Sequence, residues 1–123
     1  MKIKDALVFM LSVCNYPGDK QDYATRFEKT VHTQTFTVLV KKLPLYQQQE
    51  IEKIGNIETS DEAKVTLLTE YVSKEEYLIE FQQAAADAFV EFLEVTKEST
   101  SPEQKGKLKA YFETLIANQV TFQ

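Results

Sequence analysis

The chain has 123 residues, 43% of them hydrophobic and 27% charged, which suits one folded domain with a buried core and argues against a disordered segment. Its three Gly and three Pro are too few turn residues for an all-β protein of this length. The formal net charge of −5 divides into +3 for residues 1–43 and −8 for the rest, which disfavours nucleic-acid binding. We expect a single all-α domain over residues 1–123, a compact bundle of about five to six helices.

The first predicted helix covers residues 3–14 and is apolar nearly all round, as is typical of a helix at a bundle centre or at an interface. Its basic start and apolar run are superficially like a signal peptide. Asp5 interrupts the basic part, however, and Val13 stands where a small residue should precede Cys14. The apolar run is also far too short to span a bilayer, so we expect a cytoplasmic protein that makes no membrane contact.

Cys14 is the only cysteine, which excludes an intrachain disulfide and a cysteine-based metal cluster. Its neighbours Leu11, Val13 and Tyr16 are apolar or aromatic, and no basic residue beside it would lower its pKa. We interpret it as a small hydrophobic residue in a reducing compartment.

The second predicted helix begins after the turn at residues 15–19, where Asp19 can cap it. Tyr23, Phe27 and Val31 follow at i, i+4 and i+8. Residues 30–40 are rich in β-branched side chains, so a strand is the local alternative. A strand needs a partner, and the other β-like piece is the short run 120–122, so we predict a helix.

Three further helices are predicted at about residues 45–54, 60–72 and 102–118. Leu43-Pro44 precedes the first of them, and Gly55-Asn56 ends it. Capping-box spacings mark three helix starts: Thr59 with Glu62, Ser73 with Glu76, and Ser101 with Gln104. The side chains predicted to face inward are Leu45, Ile51 and Ile54; Ala63, Leu67, Leu68, Tyr71 and Val72; and Leu108, Tyr111, Phe112, Leu115 and Ile116.

The longest predicted helix, about residues 74–98, has an acidic and an apolar face. At 100° per residue, four carboxylates fall within about 40° of a fifth, Glu80. We call them the acidic stripe: Glu80, Asp87, Glu91, Glu94 and Glu98. The apolar positions roughly opposite are Leu78, Phe81, Ala85, Ala88, Phe89 and Phe92.

The acidic stripe has two main interpretations. It is either a solvated face that keeps an acidic protein soluble, or a contact for a Lys/Arg-rich surface. A bound divalent cation is a minor alternative, because one straight helix cannot wrap ligands around an ion.

Catalytic and metal sites find little support in the sequence. His32 is the only histidine, so neither a carboxylate-bridged di-metal site nor a zinc site can be assembled. Nothing beyond their presence links Cys14 and His32 as a nucleophile and its base. The glycines are isolated and form no phosphate-binding loop. We therefore expect no enzyme activity, cofactor or metal, and we expect His32 to be a partly exposed residue on the second helix.

The third and fourth predicted helices have roughly the spacing of a helix-turn-helix. A recognition helix presents Arg, Lys, Asn or Gln to the groove, whereas the fourth helix begins Ser60-Asp61-Glu62 and offers only Lys64. Two packed helices are the better interpretation.

The aromatic residues of the longest helix, Tyr77, Phe81, Phe89 and Phe92, flank the small run 84–86. Core packing explains this pattern best, with a groove for a partner helix or a homodimer seam as alternatives.

Three functional hypotheses follow. The leading one is a non-enzymatic protein that binds another protein, possessing a basic surface, through the acidic stripe. The second is a ligand-binding or enzyme domain with a pocket among the aromatic residues of helices 2, 5 and 6. The third is an architectural subunit that uses its apolar first helix as an interface.

Overall fold

The computed structural model describes residues 1–55, 61–118 and 120–122, without the side chains of residues 54, 55 and 61–65. Within these ranges it contains six helices and no strand, so the all-α prediction is confirmed. The helices are α1 (Ile3–Val13), α2 (Lys20–Lys41), α3 (Leu45–Gly55), α4 (Asp61–Tyr71), α5 (Lys74–Thr96) and α6 (Pro102–Ala117). As predicted, the longest is α5, with 23 residues.

Four of the helices form a bundle in which the neighbours follow the cyclic order α1, α2, α5, α6. The α3–α4 pair packs against the C-terminal half of α2 and shares a smaller core with it. The buried residues of the larger core are Ile3, Ala6, Leu7, Met10, Leu11, Ala24, Val31, Phe81, Ala84, Ala85, Ala88, Phe89, Phe92, Leu108, Phe112, Leu115 and Phe122. Those of the smaller core are Leu39, Ile51, Leu68 and Val72.

Helix α1 buries one face in the bundle, with Ile3, Leu7 and Met10 fully inaccessible to solvent. Phe9 is half exposed, and its ring lies 4.3 Å from that of Tyr111 on α6. The apolar character of α1 is thus used mainly within the chain's own core.

Helix α2 remains helical through residues 30–40, so the predicted helix is confirmed over the local strand alternative. The amide of Asp22 donates to the Asp19 carboxylate at 3.0 Å, which caps its start. Val31, Thr35 and Leu39 are buried at successive i+4 positions, and the Thr35 hydroxyl donates to the Val31 carbonyl at 2.8 Å. Tertiary packing of this face outweighs the low helix propensity of the β-branched residues.

The helix starts at α5 and α6 follow the predicted capping residues. Ser101 and Gln104 form the complete reciprocal box, with Pro102 at the first helical position. At α5 the Ser73 hydroxyl accepts from the Glu76 amide at 3.1 Å, while the Glu76 carboxylate contacts that hydroxyl rather than the backbone. The Thr59–Glu62 box, Ile54 and Ala63 lie outside the residues or side chains that the structure describes.

Three residues predicted to face inward are exposed instead: Leu45 by 68%, Leu78 by 39% and Ile116 by 58%. Leu45 begins α3 before its buried residue Ile51, and Leu78 lies one helical turn before Gln82, where the C-terminal segment crosses α5. Ile116 is rotated 100° beyond Leu115, past the packed edge of α6. These predictions were wrong because the apolar face of each helix is wider than the part of it that neighbouring elements cover.

The segment at residues 120–122 packs onto the bundle without forming a strand. The Gln82 side-chain amide donates to the Phe122 carbonyl at 2.8 Å and accepts from its amide at 2.7 Å. The Phe122 ring lies 5.3 Å from that of Phe89. The β-like composition noted in the sequence therefore belongs to a segment without regular secondary structure whose Phe122 side chain is buried in the larger core.

Candidate functional site

Three carboxylates of the acidic stripe, Asp87, Glu91 and Glu94, are exposed on α5. Asp87 accepts a hydrogen bond from the Gln83 amide at 3.0 Å. Among the residues that the structure describes, none of the three forms a salt bridge. Their charges are therefore left for solvent or for a partner.

Glu80 differs from these three residues. Its side chain is only 23% exposed, and its carboxylate accepts from the ammonium group of Lys42 at the end of α2. The pair joins the C-terminal end of α2 to the first half of α5. Glu80 therefore contributes less uncompensated charge than the sequence pattern suggests.

Glu98 is exposed but lies outside the helix, because α5 ends at Thr96. The hydroxyls of Ser99 and Thr100 donate to the Thr96 carbonyl at 3.1 and 2.9 Å. Such local side-chain bonds compete with helical ones and turn the chain toward α6. The predicted end near residue 98 is thus two residues too late.

A groove runs between α2 and α5 along the side that carries the acidic stripe; we call it the α2/α5 groove. It consists of a cavity of about 460 Å³ and an adjoining one of about 390 Å³ that share Gln34. The first is lined by Tyr16, Tyr23, Arg26, Phe27, Thr30, Gln34, Ala88, Glu91, Phe92 and Val95. The second is lined by Thr33, Gln34, Thr37, Val38, Glu80, Gln83, Ala84 and Asp87.

Small residues lie at the junction of the two helices. Ala84 and Ala88 each retain 8% exposure and line the groove, while Ala85 is fully buried in the core. Asp87 and Glu91 line the same groove from α5. The structure therefore brings part of the acidic stripe next to a small apolar floor, two features that the sequence pattern had suggested separately.

One end of the groove is an aromatic pocket formed by Tyr16, Tyr23, Phe27 and Phe92. The rings of Tyr16 and Tyr23 meet edge to face at 5.2 Å, and Tyr23 meets Phe92 at 6.2 Å. A Cβ at Gly18 would come within 2.8 Å of the Tyr16 ring, so the glycine leaves room for that ring.

Burial raises the pKa of Tyr23 in this pocket. Arg26, at the pocket edge, forms a salt bridge of 3.1 Å with Asp22 on the same helix.

The second hypothesis placed a pocket among helices 2, 5 and 6, whereas this one is formed by α2, α5 and the turn after α1. The sequence pattern placed Tyr23 and Phe27 on one side of the second helix and gave Tyr16 no role beyond its position near Cys14. Their i, i+4 spacing identified the correct helix face. That Tyr23 and Phe27 are only partly buried depends on the packing of α2 against α5, which the spacing does not predict.

The ring of His32 lies on that of Phe81, with centroids 4.7 Å apart, and its Nδ1 shares a hydrogen bond of 2.7 Å with the Tyr77 hydroxyl. Burial raises the pKa of Tyr77. Cys14 packs against the larger core, where burial raises the pKa of its thiol. A raised thiol pKa is the opposite of what a cysteine nucleophile requires.

The described part of the chain holds no group of three or more His, Cys, Asp or Glu placed to ligate a metal ion. Within the same part, none of the helices has the length and hydropathy needed to cross a membrane.

Comparison with known proteins found no matching family model, no matching curated protein and no matching solved structure.

Proposed function

We propose that the protein is a non-enzymatic interaction module that binds a protein partner with a basic surface through the acidic stripe. The observation that carries this proposal is the set of exposed carboxylates on α5, Asp87, Glu91 and Glu94, which form no salt bridge within the described residues. Opposite charge on a partner would steer association and fix its orientation.

Two other observations bear on the proposal, one on the class of partner and one on the compartment. The net charge of −5 repels nucleic-acid phosphates and anionic lipid surfaces. A lone, partly buried Cys14 fits a reducing compartment, so the proposal places the protein in the cytoplasm.

The proposal is tested by capturing proteins from native extract on three immobilised forms of the chain. The first is the wild type, and the second carries Asp87→Lys, Glu91→Lys and Glu94→Lys. The third is a matched control that reverses three exposed acids on α3, α4 and α6: Glu52→Lys, Glu70→Lys and Glu113→Lys. Each reversal adds two charge units, so both variants change the formal charge from −5 to +1.

We expect mass spectrometry to find a partner that the wild type and the control variant retain and the stripe variant loses. All three forms should unfold at similar denaturant concentrations, because exposed surface changes usually alter stability by less than about 0.5 kcal/mol. Equal loss from both variants would mean that total charge, rather than the acidic stripe, determines binding.

A further inference from the structure

We propose that the α2/α5 groove docks one amphipathic helix of the partner, with its apolar face in the groove and basic side chains beside Asp87 and Glu91. This inference rests on the proposed function and adds two points to it. The partner contributes a helix, and that helix binds in the α2/α5 groove. It commits to a basic helical segment of another protein.

The length of the groove suits a helix. On α5 its lining residues run from Glu80 to Val95, which at 1.5 Å per residue is about 22 Å. On α2 they run from Tyr23 to Val38, over a similar length. A third helix laid along this seam would need roughly four turns to contact both ends.

The floor of the groove permits close approach. Ala84 and Ala88 project only a methyl group each, so a helix axis can come within the usual 8–10 Å of its neighbours. At one end Val38 is 40% exposed, and at the other Val95 is 70% exposed. These apolar groups, together with the aromatic pocket, are what an apolar helix face would cover.

The charges along the groove favour a basic occupant. Asp87 and Glu91 lie one helical turn apart on its α5 side and have no salt-bridge partner among the described residues. Arg26, on the α2 side, is held by Asp22. Lysine or arginine along one edge of the docked helix would therefore meet uncompensated carboxylates.

The same charges argue against a second copy of this chain. A twofold dimer places the same patch on both sides of the interface, so each copy would bring its own Asp87 and Glu91 into it. Like charges brought together in this way are destabilising. A basic segment of a different protein avoids that repulsion.

The test is selection from a displayed library of 18-residue helix-forming peptides with a varied apolar face and either Lys or Glu at the flanking positions. The wild type is compared with Gln34→Trp, which places an indole where the two cavities join. Gln21→Trp is the matched control, since Gln21 is exposed on the same helix and lines neither cavity.

We expect Lys-flanked amphipathic peptides to be enriched on the wild type and on Gln21→Trp. The affinity of these peptides should be at least about tenfold lower for Gln34→Trp. The double variant Asp87→Asn, Glu91→Gln should lower it by a similar factor. Failure to enrich such peptides, enrichment of Glu-flanked ones, or equal binding to Gln34→Trp would each overturn the inference.

The readouts also separate this inference from the proposed function. One outcome is that peptides bind Gln34→Trp as well as the wild type and still require Asp87 and Glu91. That result would support the acidic stripe as the contact and overturn only the docking of a helix in the groove. Concentration-dependent dimerisation that Gln34→Trp abolishes would identify a second copy as the occupant and overturn the inference.

Discussion

Asn15 shows how one residue can determine the path between two helices. Its φ of 57° lies in the left-handed region, directly after the end of α1. The Tyr16 amide donates to the Leu11 carbonyl at 3.0 Å and the Asn15 amide to Ser12 at 3.2 Å, which is the Schellman pattern. This turn directs Tyr16 into the aromatic pocket.

Replacing Asn15 tests this turn. We expect Asn15→Ala to destabilise the fold by about 1 kcal/mol, because a Cβ-bearing residue without a polar side chain tolerates the left-handed region poorly. Asn15→Gly should be neutral or slightly stabilising for the same reason. Urea unfolding measures both, and equal stability of the alanine and glycine variants would contradict the assignment.

Cys14 should react slowly for a cysteine. Burial raises the pKa of its thiol, so at pH 8 a smaller fraction is thiolate than in the unfolded chain. We expect iodoacetamide to modify the folded protein more slowly than the protein unfolded in guanidinium, with the rate still rising above pH 9. A folded-state rate equal to or greater than the unfolded one would show an activated thiol.

At the scale of elements, α5 combines a buried aromatic face with an exposed acidic one. Phe89 is fully buried and meets rings from α2, α6 and the C-terminal segment: Phe27, Phe112 and Phe122. The neighbouring Val90 is half exposed. The two positions form a matched pair for testing how α5 is oriented.

We expect Phe89→Ala to cost about 3–5 kcal/mol, through the lost burial of the ring and the cavity that remains. Val90→Ala should change the free energy of unfolding by less than about 0.5 kcal/mol, as exposed positions usually do. Chemical denaturation of both variants measures the difference. Similar costs would mean that α5 faces the other way.

The C-terminal segment gives a second matched pair on the same helix. Gln82 makes two hydrogen bonds to the backbone of Phe122, whereas the exposed Gln83 bonds only Asp87. We expect Gln82→Ala to cost about 1–3 kcal/mol, since it leaves partly buried backbone groups unpaired, and Gln83→Ala to cost little. We call this pair of hydrogen bonds the Gln82 clamp. Hydrogen exchange at the Phe122 amide should accelerate in the Gln82→Ala variant alone, and unchanged exchange would contradict the clamp.

Periodicity and capping residues were sufficient to predict these elements, because both are local properties of the chain. Phe81, Phe89, Phe92 and Leu115 are buried as the pattern indicated. The Gln82 clamp could not be predicted, since it joins residues 40 positions apart and glutamine has no intrinsic preference for such a contact. Lys42 with Glu80 is a similar case, 38 positions apart.

For the whole molecule, the sequence located the acidic stripe and the small residues but not the groove that they share. A groove depends on how far apart two helices lie, and that distance is determined by side chains from both. The sequence suggested the acidic stripe as a contact and, separately, a groove for a partner helix. That these two features lie on the same surface follows only from the packing of α2 against α5.

The salt dependence of association tests the central claim most directly. The captured partner, or a selected Lys-flanked peptide, is mixed with the wild type in a stopped-flow instrument at ionic strengths from about 0.02 to 0.5 M. Over this range the Debye screening length shortens to a few ångströms. We predict that the association rate constant falls at least about tenfold across this range, whereas in the stripe variant it is low at low salt and does not fall as salt rises, because the introduced lysines repel a basic partner. A rate that does not change with salt, and is the same for the wild type and the stripe variant, would contradict the account.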